Sequence, residues 1–171
     1  MSRSGTHYER AFESYLQDHR IRYVAVDQAR KALFAGAKIK SFDFIVYPHR
    51  GQTILADVKG RKLTTRAFER KGAGQSWVTM ADITGLRSWE EVFGPEHVGV
   101  FVFVYWLFDS DGQTRSKQIF RYPGREYLFM VAELCGYQLR MKARSAKWRT
   151  VFVPAGPFQD LAQPFEQFIK G

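Results

Sequence analysis

The stretch SFDFIVYPHRGQTILADVKGRK, residues 41–62, decides how this chain folds. It reads as two strands joined by a turn, because side chains alternate between faces with a period of two. On one face Phe42, Phe44 and Val46 would meet Ile54, Ala56 and Val58; the other carries Asp43, Ile45, Tyr47, Thr53, Leu55, Asp57 and Lys59. Apolar residues on both faces imply a central pair of strands covered on both sides. Asp43 and Asp57 break that pattern. An ionised carboxylate in an apolar setting must be paired, neutralised or given a metal. A three-residue turn, His49-Arg50-Gly51, with Gly51 in the left-handed region, sets Asp43 opposite Asp57. A two- or four-residue loop would put the two on opposite faces. The position of Gly51 favours convergence.

Working outward, Tyr8, Ala11, Phe12, Tyr15 and Leu16 form one buried stripe of a first helix ending near His19. Thr6 is its N-cap, with Glu9 placed to complete a capping box. Residues 22–26 read as a short strand. The stretch from Asp27 to Gly36 reads as a short helix, followed by the basic Ala37-Lys38-Ile39-Lys40. After the hairpin, residues 60–76 read as a basic, glycine-containing loop and 79–93 as a second helix that Gly94-Pro95 ends. An apolar strand over 98–108 follows, then strands at 117–122 and in Glu126–Leu134, a short helix through 136–142, a strand at 149–154 and a terminal helix divided at Pro164. The order, helix, three strands, helix, strand, gives an α/β class with a mixed sheet flanked by helices. The expectation is one domain, with a core over about 6–108 and a C-terminal α/β extension over about 109–171.

The chain has 171 residues, 45% of them apolar, enough for one sizeable core. Its longest apolar run is too short to span a bilayer, and the first residues lack the apolar segment of a secretory signal. The single cysteine, Cys135, excludes an internal disulfide and reads as a small buried apolar residue. A soluble, cytoplasmic protein is expected. Twenty-six Lys and Arg against seventeen Asp and Glu give a net charge of +9, and the excess is clustered. Lys59, Arg61, Lys62, Arg66, Arg70 and Lys71 follow the aspartate-bearing hairpin. Arg140, Lys142, Arg144, Lys147 and Arg149 lie in a segment, Leu134 to Gln159, that holds no acid. Basic clusters beside a candidate active site point to a polyanion, nucleic acid above all. Arg61, Lys62, Arg66 and Lys71 are the candidates for backbone phosphates. The aromatic residues read as core for the most part, so no base stacking is expected of them.

Two facing carboxylates with a third from a nearby helix make a hard-oxygen site suited to Mg²⁺ or Mn²⁺. Such an ion activates water and stabilises charge on a scissile phosphate. Lys59, two residues after Asp57, projects from the same strand face and is placed to orient that water or offset the charge.

An acid on a first helix, an aspartate in a second strand and Asp-x-Lys in a third resemble the pattern of the PD-(D/E)xK nuclease superfamily. More narrowly, His7-Tyr8-Glu9-Arg10-Ala11-Phe12-Glu13 looks like the signature of the small HYExAFE family, and KSFDFIVYP, DVKGRK and SAKWRTV are similar to its other blocks. Together these stretches cover most of the chain. The resemblance implies a restriction-endonuclease-like core of α-β-β-β-α-β order and nuclease activity. It implies metal ligands Glu9, Asp43, Asp57 and the Val58 carbonyl, with Lys59 catalytic. It also puts Gln75 where many relatives have an active-site glutamine. Phe42 stands where the motif name has proline. Glu13, one turn after Glu9, is the alternative helical ligand, because the cap alone would account for Glu9. His7 lies near the site, placed either to touch phosphate or to pack at the helix start. The expected function is Mg²⁺-dependent hydrolysis of phosphodiester bonds, in DNA, by a chain able to act as a homodimer. The alternative is a catalytically silent nucleic-acid-binding module on the same fold.

Overall fold

The computed structural model describes residues 5–27, 32–34, 37–71 and 74–171. Helix α1 (His7–Asp18) comes first, with Thr6 Oγ1 accepting from the Glu9 N–H, one half of the expected capping box. Strand β1 (Arg22–Ala25) follows, then a small separate hairpin of β2 (Ala32–Phe34) and β3 (Ala37–Ile39). A helix was expected over Asp27–Gly36; its described residues 32–34 are instead strand, while 28–31 and 35–36 lie outside the described residues. Alanine, lysine and leucine are good helix formers, and propensity of that size yields to pairing with β3.

The decisive hairpin forms from β4 (Phe44–Tyr47) and β5 (Thr53–Leu63). Phe44 pairs with Ala56, Ile45 with Leu55 and Val46 with Ile54, the register of a three-residue turn. Gly51 has φ +83°, the left-handed value this turn requires. The faces depart from expectation at one point. The Asp43 N–H donates to the carbonyl of Ala56, the residue Phe44 already pairs with, so the strand bulges there. Phe42 consequently joins Leu55 in the opposite core layer rather than lying with Phe44 and Val46.

β5 outruns the hairpin, and Arg61 and Lys62 belong to it rather than to a loop. Next come α2 (Thr65–Glu69), β6 (Val78–Thr79) and α3 (Met80–Phe93), then β7 (His97–Leu107) parallel to β5. The remaining elements are β8 (Ile119–Tyr122), β9 (Arg125–Glu133), α4 (Leu134–Arg140), β10 (Lys142–Ser145), β11 (Thr150–Phe152), α5 (Ala155–Leu161), β12 (Gln163–Pro164) and α6 (Phe165–Lys170). The seven-stranded mixed sheet runs β1-β4-β5-β7-β9-β12, with β8 also on β9, while β10, β11 and β6 form a second sheet. The C-terminal part is therefore woven into the central sheet: β9 pairs antiparallel with β7 along its length.

β7 shows how the layers are built. Val100, Val102 and Val104 face one core, which α1 and α6 cover. Phe101, Phe103, Tyr105 and Leu107 face the other, covered by α3, α4 and α5. All seven side chains are almost fully buried, and burial of each Val, Leu or Phe contributes about 1.5–3 kcal/mol. Cys135, expected in the core, is exposed on α4. Among the described residues no helix is long and apolar enough to cross a membrane.

Candidate active site

The bulge and the hairpin register bring Asp43 and Asp57 together at the middle of the sheet. Asp43 is 3% exposed and accepts from the Val58 N–H at 2.7 Å through Oδ2. Asp57, 6% exposed, is ion-paired through Oδ1 to Lys59 Nζ at 3.1 Å. The two aspartates, with Glu9, Val58 and Lys59, line a pocket of about 480 Å³ whose opposite wall is Lys38-Ile39-Lys40 of the small hairpin. Glu9 enters it from the first turn of α1. That turn can approach because residue 60 is glycine: a Cβ there would lie 2.2 Å from the Tyr8 ring. Glu13 is directed elsewhere, accepting from the Tyr23 hydroxyl at 2.9 Å. Between the two helical acids, the structure brings Glu9 to the pocket.

Lys59 Nζ also lies 3.0 Å from Oδ1 of Asp82, a residue that sequence reasoning missed. Asp82 is 3% exposed, and Lys40 Nζ pairs with the same oxygen. Its Oδ2 accepts from the Thr79 N–H at 2.9 Å while its own N–H donates to Thr79 Oγ1 at 3.0 Å, a complete capping box at the start of α3. Thr79-x-x-Asp82 repeats the spacing of Thr6-x-x-Glu9, and that repeat was the available signal. Lys40 is held in turn by the Trp89 indole N–H, which donates to its carbonyl at 3.0 Å.

The electrostatics divide the acids. Burial, and then the neighbouring Asp57, push the Asp43 carboxyl up to about 7, against the opposing Val58 N–H. Burial also raises Asp57, although Lys59 opposes it. Burial works upward on Asp82 too, yet Lys59, Lys40 and the Thr79 N–H outweigh it and bring the carboxyl down to about 2. For Lys59 burial favours the neutral amine, but Asp57 and Asp82 together raise its pKa, so it stays an ammonium ion. One protonated lysine thus stands between an aspartate that ionises readily and a pair that resists ionisation. Two buried, mutually repelling carboxylates beside the half-buried Glu9 are a donor set that a hard divalent cation fits, since such an ion relieves the repulsion. Among the described residues no three His, Cys, Asp or Glu side chains stand close enough to form a metal cluster as placed.

Other expected residues lie outside this pocket. Gln75 is exposed, and its carbonyl accepts from the Tyr105 hydroxyl. The Arg61 guanidinium lies 4.0 Å over the Trp77 ring and donates to the carbonyls of Gly60 and Trp77, so it serves the fold as much as any ligand. Lys62, Arg66 and Lys71 are exposed. His7 packs against Tyr8 and Trp106, with Nδ1 2.8 Å from the Tyr127 hydroxyl. Burial, then Arg125 and Arg10, hold its pKa below the usual imidazole value.

No protein-family model matches the chain, and no curated protein matches it. A solved structure does: Hjc, a Holliday junction resolvase from the archaeal hyperthermophile Archaeoglobus fulgidus. The two are 13% identical, with a TM-score of 0.57 over 96% of this chain and 99% of that one. The fold is α/β and restriction-endonuclease-like, a central mixed sheet flanked by helices, similar throughout its length to that of the resolvase.

Proposed function

We propose that this protein is a metal-dependent nuclease that hydrolyses phosphodiester bonds in DNA, with branched DNA as the substrate to test first. The observation that carries it is the pocket itself: Glu9, Asp43, Asp57 and the ammonium of Lys59 meeting in one depression of a restriction-endonuclease-like fold. The branched substrate comes from the likeness to a Holliday junction resolvase. Asp43, Asp57, Glu9 and the Val58 carbonyl would hold Mg²⁺, or Mn²⁺ in its place; the bound ion would lower the pKa of water and neutralise charge on the phosphate. Lys59 has three N–H donors, of which Asp57 and Asp82 engage two. The third is left for the attacking water or a phosphate oxygen. Water adds to phosphorus, one P–O ester bond breaks, and the departing oxygen takes a proton. Lys62, Arg66 and Lys71, exposed beyond the end of the hairpin, would hold flanking phosphates, a contribution that gives affinity and salt dependence rather than sequence choice. Residues 1–171 would act as one nuclease domain, and a homodimer would bring two such pockets to one branched molecule. The HYERAFE segment keeps the HYExAFE family as the finer assignment.

A silent nucleic-acid-binding module is the second reading, favoured by one observation: the acids, as placed, do not close to a metal cluster. Wild type, Lys59→Ala, Glu9→Ala and Glu13→Ala are compared on four-way-junction and supercoiled DNA with Mg²⁺, Mn²⁺ or chelator. Metal-dependent cutting abolished by Lys59→Ala and Glu9→Ala, and retained by Glu13→Ala, is expected. Salt-sensitive binding by every variant with no cutting by wild type refutes the nuclease and leaves the module.

A further inference from the structure

Of the four tryptophans, three are held. Trp77 lies between the guanidinium groups of Arg61 and Arg144, at 4.0 and 5.0 Å, Trp89 donates to the Lys40 carbonyl, and Trp106 packs against His7 beneath Arg125. Trp148 is 68% exposed. It stands at the tip of the β10–β11 hairpin, in a segment without acids, between Lys147 and Arg149. Most of the aromatic residues are core, as expected, and Trp148 is an exception.

The tip is nonetheless fixed. The Trp148 N–H donates to Ser145 Oγ, and Arg149, at φ +49°, closes the turn by donating to the Ala146 carbonyl. The Arg149 carbonyl accepts from the Met80 N–H at 2.9 Å, and Thr150 and Val151 pair with Thr79 and Val78. Val78 and Thr79 lead directly into α3, which Thr79 caps and Met80 begins, the helix whose first turn carries Asp82. Trp148 is thus bolted to the element that holds Lys59. A groove of about 740 Å³ runs between Trp148 and Arg149 on one side and Lys38, Ile39 and Lys40 on the other. The same Lys38-Ile39-Lys40 strip also lines the candidate active-site pocket, so groove and pocket are neighbours along it.

We propose that Trp148 is a base-stacking finger, and that the groove beside it guides an unpaired strand of nucleic acid to the pocket. A large exposed ring amid cations has the chemistry of a platform for single strands, in which basic groups follow the backbone and an aromatic face takes a base. Lys147 Nζ lies 5.2 Å from the indole centroid, leaving the other face for the base. A continuous duplex buries its base faces in its own stack and offers Trp148 nothing to hold. The finger therefore selects DNA whose bases are unstacked: a flap, a fork or the centre of a junction. This inference rests on the nucleic-acid part of the function proposed above, and not on cleavage.

The test measures binding by fluorescence anisotropy in chelator, where nothing is cut. The ligands are a blunt duplex, the same duplex with a single-stranded arm, and that duplex with abasic sites along the arm. Trp148→Ala is expected to lose roughly five- to a hundredfold in affinity for the armed duplex and to match wild type on the blunt one. Trp148→Phe should recover most of the loss, and wild type should lose a similar factor on the abasic arm. Equal effects of Trp148→Ala on both duplexes, no effect on either, or wild type that binds neither would each overturn the finger. An exposed tryptophan without effect would be a protein contact instead. Arm-selective binding through Trp148 by a protein that never cuts would leave the finger standing and remove the nuclease.

Discussion

Asp82 offers a test in which charge and shape can be separated. Asp82→Asn preserves the side chain's outline and an oxygen for the Thr79 N–H, and removes only the negative charge that Lys59 and Lys40 share. The carboxyl lies at about 2 in the folded protein against an ordinary 3.8, because those lysines and the Thr79 N–H overcome its burial. With each unit equivalent to roughly 1.4 kcal/mol, the charge stabilises the fold by about 2 kcal/mol at neutral pH. A folded value below the unfolded one gives the sign. The contribution is complete above about pH 4 and is lost as pH falls towards 2. Urea denaturation of both proteins at steps from pH 7 downward is therefore expected to show a gap of about 2 kcal/mol that narrows through the acid range and closes. In a chain of this size the neutral gap corresponds to roughly 4–8 °C in melting temperature. Asp82→Ala should cost about 1 kcal/mol more at every pH, from the lost acceptor for the Thr79 N–H in the capping box. A gap that persists unchanged at the acid end would refute the electrostatic account, and so would Asn and Ala variants of equal stability.

Gly60→Ala should push α1 away from β5, since the new methyl would lie 2.2 Å from the Tyr8 ring. A loss of about 1–3 kcal/mol by urea denaturation is expected, with partial recovery when Tyr8→Ala is added. Glu126 is 2% exposed; burial works to raise its pKa, but Ser110, Thr114 and Arg121 hold it below the usual glutamate value. Glu126→Gln should cost about 1–3 kcal/mol at pH 7. Because the folded value is the lower one, that cost should shrink as pH falls below the ordinary glutamate range, which acid titration of the melting temperature would show.

The hairpin was legible in the sequence because two independent signals agreed on its register. The period-two alternation set most of the faces, and Gly51 fixed the three-residue turn whose register, with the bulge at Asp43, leaves Asp43 and Asp57 lining one pocket. The helices α1 and α3 were legible from their stripes. What escaped was set by distant partners. The β2–β3 hairpin carries helix-forming residues, and only its partner strand makes it extended. The bulge that turns Phe42 to the other layer comes from one N–H choosing the Ala56 carbonyl, a choice with no signature in residue type. Asp82 was hidden because a helix cap is a sufficient explanation of an acid at that position, and its second use appears only when Lys59 and Lys40 arrive from other strands. Trp148 was hidden for the opposite reason: a residue type that is usually buried gives no notice of standing outside.

The packing of α6 against α1 bears on the order in which the molecule can be assembled. Phe165 meets Phe12 with ring centroids 5.0 Å apart, and it also meets Tyr15, so the inner face of the helix that carries Glu9 is partly floored by residues nearly at the far end of the chain. During synthesis α1 emerges before the sheet and must wait for all of it before its bed is complete. Contacts so remote in sequence form late, after the loops between them have closed. Glu9 reaches its place in the pocket only once the sheet beneath it and α6 beyond it exist, so a ribosome-bound chain carries the three acids before they line one pocket.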